Sequence, residues 1–400
     1  MKKLTALVLA LCMALGLAAC GGSKDNGSAA GSTAAASGDT VKIGVFEPQS
    51  GDNGAGGKQE ILGVQYANSV APTVEIGGKT YNVKLEIVDN ESSNDKAVSA
   101  ASQLVSKGVS MVLGSYGSGV SIAASDTFKN AGVPAIGITC TNPAVTAGNT
   151  HYFRACFIDS FQGPVLANYA YDNLKVKKAY CLSKLGDDYS GGLVSYFTKQ
   201  FEKKGGQVVK AEFPEGNSDF TSYIANAKKE GCGVFYAPIS IEAAQLVINQ
   251  AASQNLGMPI LAGDTWDSNV ILEAAKGTDV KIDVTTFYAD GTNKDFEQKI
   301  KDWINGDSTN LKNNGGNDTL SAVTVMGYDA YMVALEALKA AGSTDPAAVM
   351  KALPTVSYDG ITGTISFDEN GDAKVKTAYV KSVDNETGTW VGGGSVTMDE

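Results

Sequence analysis

The chain has one arginine, Arg154, and one histidine, His151, among its 400 residues. A single imidazole leaves Ser–His or Cys–His catalysis dependent on His151, and its place beside Tyr152-Phe153-Arg154 reads as structural. No serine lies in a G-x-S-x-G setting, and no His or Cys pairs stand at metal-ligand spacing. GSYGSG (Gly114 to Gly119) lacks the G-x-G-x-x-G spacing of a dinucleotide site. GDNGAGGKQ (Gly51 to Gln59) has Asp52 and Gln59 where a phosphate-binding loop needs Gly and Ser or Thr. These absences predict a chain that is not an enzyme and carries no cofactor or metal. Positive charge is also short: 32 Lys and Arg face 43 Asp and Glu, a net charge of −11. With no basic cluster, nucleic acid and anionic membrane surfaces are excluded as partners.

Long apolar runs are scarce. Lys2 and Lys3 precede an uncharged stretch, Leu4 to Ala19, too short to span a bilayer comfortably but suited to a signal peptide. It ends Leu17-Ala18-Ala19-Cys20, which resembles a bacterial lipoprotein signal: residues 1–19 are expected to be removed and Cys20 lipidated. Without Lys2 and Lys3, 30 basic residues remain against 43 acidic ones, or −13. Residues 20–40 are mostly Gly, Ser, Ala and Thr and predict a flexible tether with a reach of roughly 25 Å. The only membrane contact expected is through that lipid anchor.

From Val41 on, short β-branched runs alternate with helical patterns. VKIGVF, VKLEIV, VSMVLG and VPAIGI are separated by helices, and KKAYCL, QVVKAEF, GVFYAP and PILAG repeat the pattern. This is α/β grammar, with parallel βαβ units wound into two lobes. DTLSAVTVMGYDAYMVALEALKAAG sets Leu320, Val323, Tyr331, Ala334, Leu335 and Leu338 on one stripe, as a core-facing helix requires. Asn370-Gly371 marks a turn. Cys140, Cys156, Cys181 and Cys232 fit either two disulfides or four buried thiols.

The stretch from Ser110 to Pro143 reads strand, loop, helix, strand, loop. Ser118 and Thr141 would stand beyond the carboxyl ends of parallel strands, where helix N-termini favour a carboxylate. Asp264, at the end of the strand-like PILAG, is a candidate acceptor for an ammonium. The same residues also suit helix capping, Ser118 and Thr141 locally and Asp264 for a helix starting near Asp267.

GSYGSGVSIAASDTFKNAGVPAIGITCTNP resembles the leucine/isoleucine/valine-binding protein family of periplasmic solute receptors. VKIGVFEPQSG, FRACFIDSFQGP, DDYSGGL and AGDTWDSN match it in the same order. The resemblance implies a type I periplasmic-binding-protein fold: two doubly wound parallel-sheet lobes, a three-crossover hinge and a ligand cleft between the lobes. It implies lobe 1 from 41–158 and 287–376 and lobe 2 from 159–286 and 377–400, with crossings near Phe157 to Phe161, Thr285 to Ala289 and Lys376. It further implies a monomeric receptor that delivers an amino acid, branched-chain or similar, to the permease subunits of an ABC transporter. A sensor of the same fold, or a receptor for another small acid or amide, is the alternative. By the same resemblance Ser118, Thr139 (through its carbonyl) and Thr141 grip the head group. Asp264 and Tyr189 close on the ammonium side, and Tyr116 and Gly117 line the side-chain pocket. Gly56 and Ile239 stand where branched-chain receptors often carry an aromatic and a tyrosine, which predicts a roomier or differently shaped pocket.

Overall fold

The computed structural model describes residues 39–375 and 377–397. The signal-like segment, Cys20, the tether up to Gly38 and the crossing position Lys376 lie outside those residues.

The strands that read as continuous apolar runs are covered on both faces, which is why they do not alternate with polar residues. The first sheet contains β1 (Thr40–Glu47), β2 (Thr73–Ile76), β3 (Lys79–Asp89), β4 (Met111–Leu113), β5 (Ala135–Gly137) and β6 (Tyr152–Arg154), in the order 2-3-1-4-5-6. Its pairings are parallel except at the β2–β3 edge. Successive residues of β4 go to opposite sides. Met111 and Leu113 join the core that holds Ile43, Val45 and Ile136, while Val112 joins the core around Phe46, Leu104 and Phe128. Helices α1 (Gly54–Val70), α2 (Asn94–Ser106) and α3 (Ser118–Ala131) connect these strands.

The second sheet is built alike. It takes β7 (Lys178–Lys184), β8 (Gln207–Phe213), β9 (Val234–Tyr236), β10 (Ile260–Ala262) and β11 (Ile282–Thr286). Helices α4 (Asp159–Asn168), α5 (Asp188–Lys203), α6 (Thr221–Lys229), α7 (Ile241–Ser253) and α8 (Asn269–Ala275) pack around it. After α9 (Lys294–Asn305), α10 (Ser308–Asn313), α11 (Ala322–Ala341) and α12 (Pro346–Ala352), a small hairpin of β12 (Ser357–Gly360) and β13 (Gly363–Ser366) follows. The chain then returns to the second sheet as β14 (Thr377–Asp384) and β15 (Thr389–Thr397), giving the order 15-14-11-10-9-7-8. β14 pairs antiparallel with both β11 and β15, and β2 pairs antiparallel with β3 on the other sheet, within sheets whose central pairings are parallel as expected. The β2–β3 and β14–β15 pairs are hairpins, which need no crossover helix.

The chain thus forms two α/β lobes, and the segment from Phe287 to Phe367 packs back into the first. α11 is fixed there by an unusually close approach to α1. A Cβ on Gly63 would sit 1.9 Å from the Thr324 carbonyl oxygen, and one on Gly327 would sit 2.3 Å from the Glu60 oxygen. Paired glycines let the two backbones touch. Ser321 caps α11 by accepting from the Val323 N–H, and Gly342 ends it in the left-handed conformation. Leu320 precedes the helix; the other five residues of the predicted stripe lie on it and are buried. Asn370 and Gly371 form the expected turn, with Gly371 at φ 86°. All four described cysteines are free and buried; burial pushes the Cys140 thiol up to about 11, so it stays protonated.

Candidate ligand-binding cleft

Parallel strands deliver their carboxyl ends to one side of each sheet, and the two sides face each other. From the first lobe come Glu47 at the end of β1, the Gly114–Gly117 loop after β4, and the Thr139–Thr141 loop after β5. From the second come Lys184 at the end of β7, Tyr236 ending β9, and the turn Asp264–Trp266 after β10. A pocket of about 60 Å³ between the lobes is lined by Asn53, Tyr116 and Ser118 on one side and by Lys184, Tyr189 and Thr265 on the other. A wider hollow of about 460 Å³ around Val176, Pro259, Lys281 and Val383 lies at the opposite strand ends. It holds none of the candidate residues, so chemistry, not volume, marks the cleft.

Ser118 is the first residue of α3 and is buried; its Oγ accepts from the Asn142 N–H at 3.1 Å. That bond ties the α3 terminus to the Thr141 loop. The Thr141 hydroxyl is fully buried, makes no hydrogen bond, and faces the Asp159 carboxyl without reaching full bonding geometry. Neither residue caps a helix: Gly117 occupies the N-cap position of α3. Asp264 does not cap either, because Ser268 serves α8 by accepting from Val270 N–H.

Asp264 is 1 % exposed, and Tyr189 OH (2.9 Å) and Gln162 Nε2 (2.6 Å) both donate to its Oδ1. Burial pushes its carboxyl up to about 7, against the pull of the Tyr189 hydrogen bond. Three residues on, Asp267 is equally buried but compensated. Lys381 Nζ lies 3.0 Å from its Oδ2, and the Thr286 hydroxyl donates to the same oxygen. Among the described residues no cation pairs with Asp264. Of two neighbouring buried aspartates, then, Asp267 is compensated by a lysine of the chain and Asp264, among the described residues, is not.

Thr139 uses its hydroxyl within the chain, apart from the carbonyl expected to serve a ligand. Its hydroxyl donates to Glu60 Oε1, an acid on α1 that burial raises to about 8. Glu47 lies beside it and accepts from Tyr116 N–H at 2.7 Å; burial, then the Glu60 charge, raises its pKa well above the usual carboxylate range. Tyr116 reaches across the cleft and donates to the Thr265 carbonyl at 3.1 Å. Its ring fills the space expected at Gly56: a Cβ there would stand 2.5 Å from Tyr116 Cε2. The predicted extra room is therefore occupied by the chain's own tyrosine. Trp266 belongs to the second-lobe core, and its indole donates to Ile239 O at 3.0 Å.

Four groups at the cleft go unnamed as sites in the sequence reading. Gln162 and Asp159 lie in FRACFIDSFQGP, where position in the motif was the available signal. Glu47 lies likewise in VKIGVFEPQSG, whereas Glu60 had no such signal, since a glutamate on a helix reads as solvated.

The sequence pattern of the periplasmic binding proteins matches residues 40–389. A Leu/Ile/Val-binding protein homolog from Brucella suis is 30% identical over 340 residues, covering 84% of this chain and 88% of the relative. The leucine binding protein LivK of Thermotoga maritima superposes with a TM-score of 0.78 at 30% identity, over 90% of this chain and 99% of that one. LivJ of Streptococcus pneumoniae, solved with isoleucine, gives 0.78 at 26% identity over 90% and 100%. Two α/β lobes facing across a polar cleft, in the order and at the length these relatives have, make this chain a member of the periplasmic binding protein family, of the leucine/isoleucine/valine-binding type.

Proposed function

We propose that the chain is the extracytoplasmic solute receptor of an ABC importer, closing its lobes on an α-amino acid and delivering it to permease subunits without chemical turnover. The observation that carries this is Asp264, buried and without a cation among the described residues, facing a lobe whose Ser118 and Thr141 offer hydroxyls. An α-amino acid carries an ammonium and a carboxylate on neighbouring atoms, and bridging such a pair requires one lobe to supply donors and the other an acceptor. Tyr189 and Gln162 hold Asp264 in place, and Tyr116 and Gly117 bound the side-chain space. Asp159 and the unpaired Tyr236 hydroxyl complete the polar lining. The branched-chain class named in the relatives supplies the first ligands to test.

Lobe boundaries near residues 158, 286 and 376 would give the hinge its three crossings. A lipid on Cys20, with residues 20–40 as a tether, would keep a monomeric receptor beside the membrane where the permease lies. Among the described residues no helix is long and apolar enough to cross a membrane.

The test is calorimetric titration and thermal shift of residues 21–400 with the proteinogenic amino acids, their amides and their decarboxylated amines. A ligand at about a hundred times its Kd adds roughly 2.7 kcal/mol of stability. Amino acids are expected to bind and the amides and amines to fail. Binding of free acids or amides in preference to amino acids would refute the head-group assignment.

A further inference from the structure

The one arginine is fully buried, a costly place for a cation unless its donors are all used. Arg154, ending β6, spends them on the loop that carries Thr141. Its Nη1 donates to the carbonyls of Cys140 (2.9 Å) and Asn142 (2.9 Å), on either side of Thr141. Nη2 donates to the Thr146 hydroxyl at 2.7 Å and more weakly to Pro143 O at 3.4 Å. The charge is balanced by Asp372, 2.6 Å from Nε, on the turn after β13. Asp372 also accepts from the Thr146 hydroxyl at 2.8 Å, so guanidinium, carboxylate and hydroxyl form a closed triangle behind the loop. The Thr141 carbonyl between the two clamped ones accepts from the Asp159 N–H at 2.9 Å. Three successive carbonyls, 140 to 142, are thus each held.

We propose that Arg154 is a positioning residue of the ligand site, fixing the peptide planes around Thr141 so that its donors meet the ligand carboxylate; the binding part of this rests on the amino-acid reading above. A planar trans peptide sets N–H antiparallel to C=O, so clamping the Cys140 carbonyl aims the Thr141 N–H away from the guanidinium. A carbonyl bonded to a cation also polarises its peptide unit and makes that N–H a stronger donor. The Asn142 N–H shares its peptide plane with the Thr141 carbonyl, held by Asp159 N–H between the two carbonyls Nη1 clamps, and donates to Ser118, so the braced loop is tied to α3. A lysine keeps the charge but cannot span two carbonyls and a hydroxyl at once.

The experiment compares the wild type with R154K and with D372N, which leaves Arg154 in place but removes its counter-charge from the far side of the loop. Amide hydrogen exchange is measured without ligand, and affinity for L-leucine by calorimetry. In both variants the Thr141 and Asn142 amides are expected to exchange on the order of tenfold faster, with β1 and β7 unchanged, and L-leucine to bind roughly ten- to a hundredfold more weakly. A merely structural role would instead speed exchange throughout the first lobe, and that result overturns the proposal. So does unchanged exchange at Thr141 and Asn142, or a loosened loop with L-leucine affinity within about twofold of wild type. If R154K fails to fold, D372N carries the same readouts. Should the wild type bind no amino acid, the amino-acid reading falls, and the exchange data still decide whether Arg154 holds the loop.

Discussion

At the scale of single residues, the difference between Asp264 and Asp267 predicts how binding and stability change with pH. Burial raises the Asp264 carboxyl from 3.8 to about 7, so between those values the folded chain holds a proton that the unfolded chain has released. Stability must then fall as pH rises through this window, by at most about 1.4 kcal/mol per pH unit for this one group, and level off above it. The groups facing Asp264 include Tyr189, Gln162, Tyr116, Asp267, Asp159 and Glu60; burial also raises the carboxyls of Asp159 and of Glu60, the latter to about 8, and both act in the same direction. Asp264→Asn should remove the first contribution. The stability difference between wild type and this variant, measured by urea unfolding at pH 4 to 9, should therefore shrink with pH up to about 7. A difference that grows would count against the burial of an uncompensated acid. On the proposed amino-acid reading ligand binding runs oppositely, because an ammonium needs the carboxylate: affinity for L-leucine should weaken below pH 7, approaching tenfold per unit. The sequence shows that an aspartate ends a strand here. That it lacks a cation, while its neighbour three residues on has one, was not legible, since Lys381 lies 114 residues from Asp267.

At the scale of elements, α1 and α11 show how a helix reads one way in sequence and packs another. The apolar stripe of α11 predicts its buried face, but not that its closest contact is through backbone. Gly63 and Gly327 oppose each other's chain, and any Cβ must push the helices apart. Gly63→Ala is expected to cost about 1–3 kcal/mol or more, read as a lower midpoint in urea. Gly191→Ala is the control. It lies within α5 with nothing within 4 Å of its added Cβ, and should be neutral or add about 0.5–1 kcal/mol from helix propensity. Equal effects at the two sites would show that the close crossing does not exist in solution. The parallel strands were legible because their apolar runs, four to eight residues long, are punctuated by glycine and helix patterns. The antiparallel edges were not, because β14 and β15 carry mixed polar residues that show no clear period.

For the whole molecule, the question is what holds the lobes together around the cleft. The α7 terminus in the second lobe has no side-chain cap of its own. Instead Glu242 N–H donates to Asp52 O at 3.2 Å and Ile241 N–H to Asn53 Oδ1 at 3.4 Å, both from the first lobe. Lys184 adds an ion pair to Asp52 at 2.9 Å. Ligand contacts from both lobes exist only when the lobes meet, so any group that favours closure raises apparent affinity. The pair is partly exposed, which limits it to about 0.2–1 kcal/mol. D52N and K184M should each weaken L-leucine binding by about two- to fivefold at low salt. The double variant should lose no more than either alone, because the two share one interaction. Full additivity in that cycle would mean the pair is not formed in the closed state.

The sequence by itself determined the two-lobed α/β grammar and which loops follow the carboxyl ends of its strands. Short β-branched runs, helix periods and turn residues are local properties, and the carboxyl end of a parallel strand is where its loop must go. The resemblance rested on the same stretches, since motifs such as FRACFIDSFQGP are contiguous. The tertiary structure alone decided which buried charges are matched. Lys381 finds Asp267 and Arg154 finds Asp372, while Asp264, Glu47 and Glu60 find no cation among the described residues. Charge compensation depends on distances of a few ångströms between groups brought together from far along the chain, and no local pattern encodes those distances.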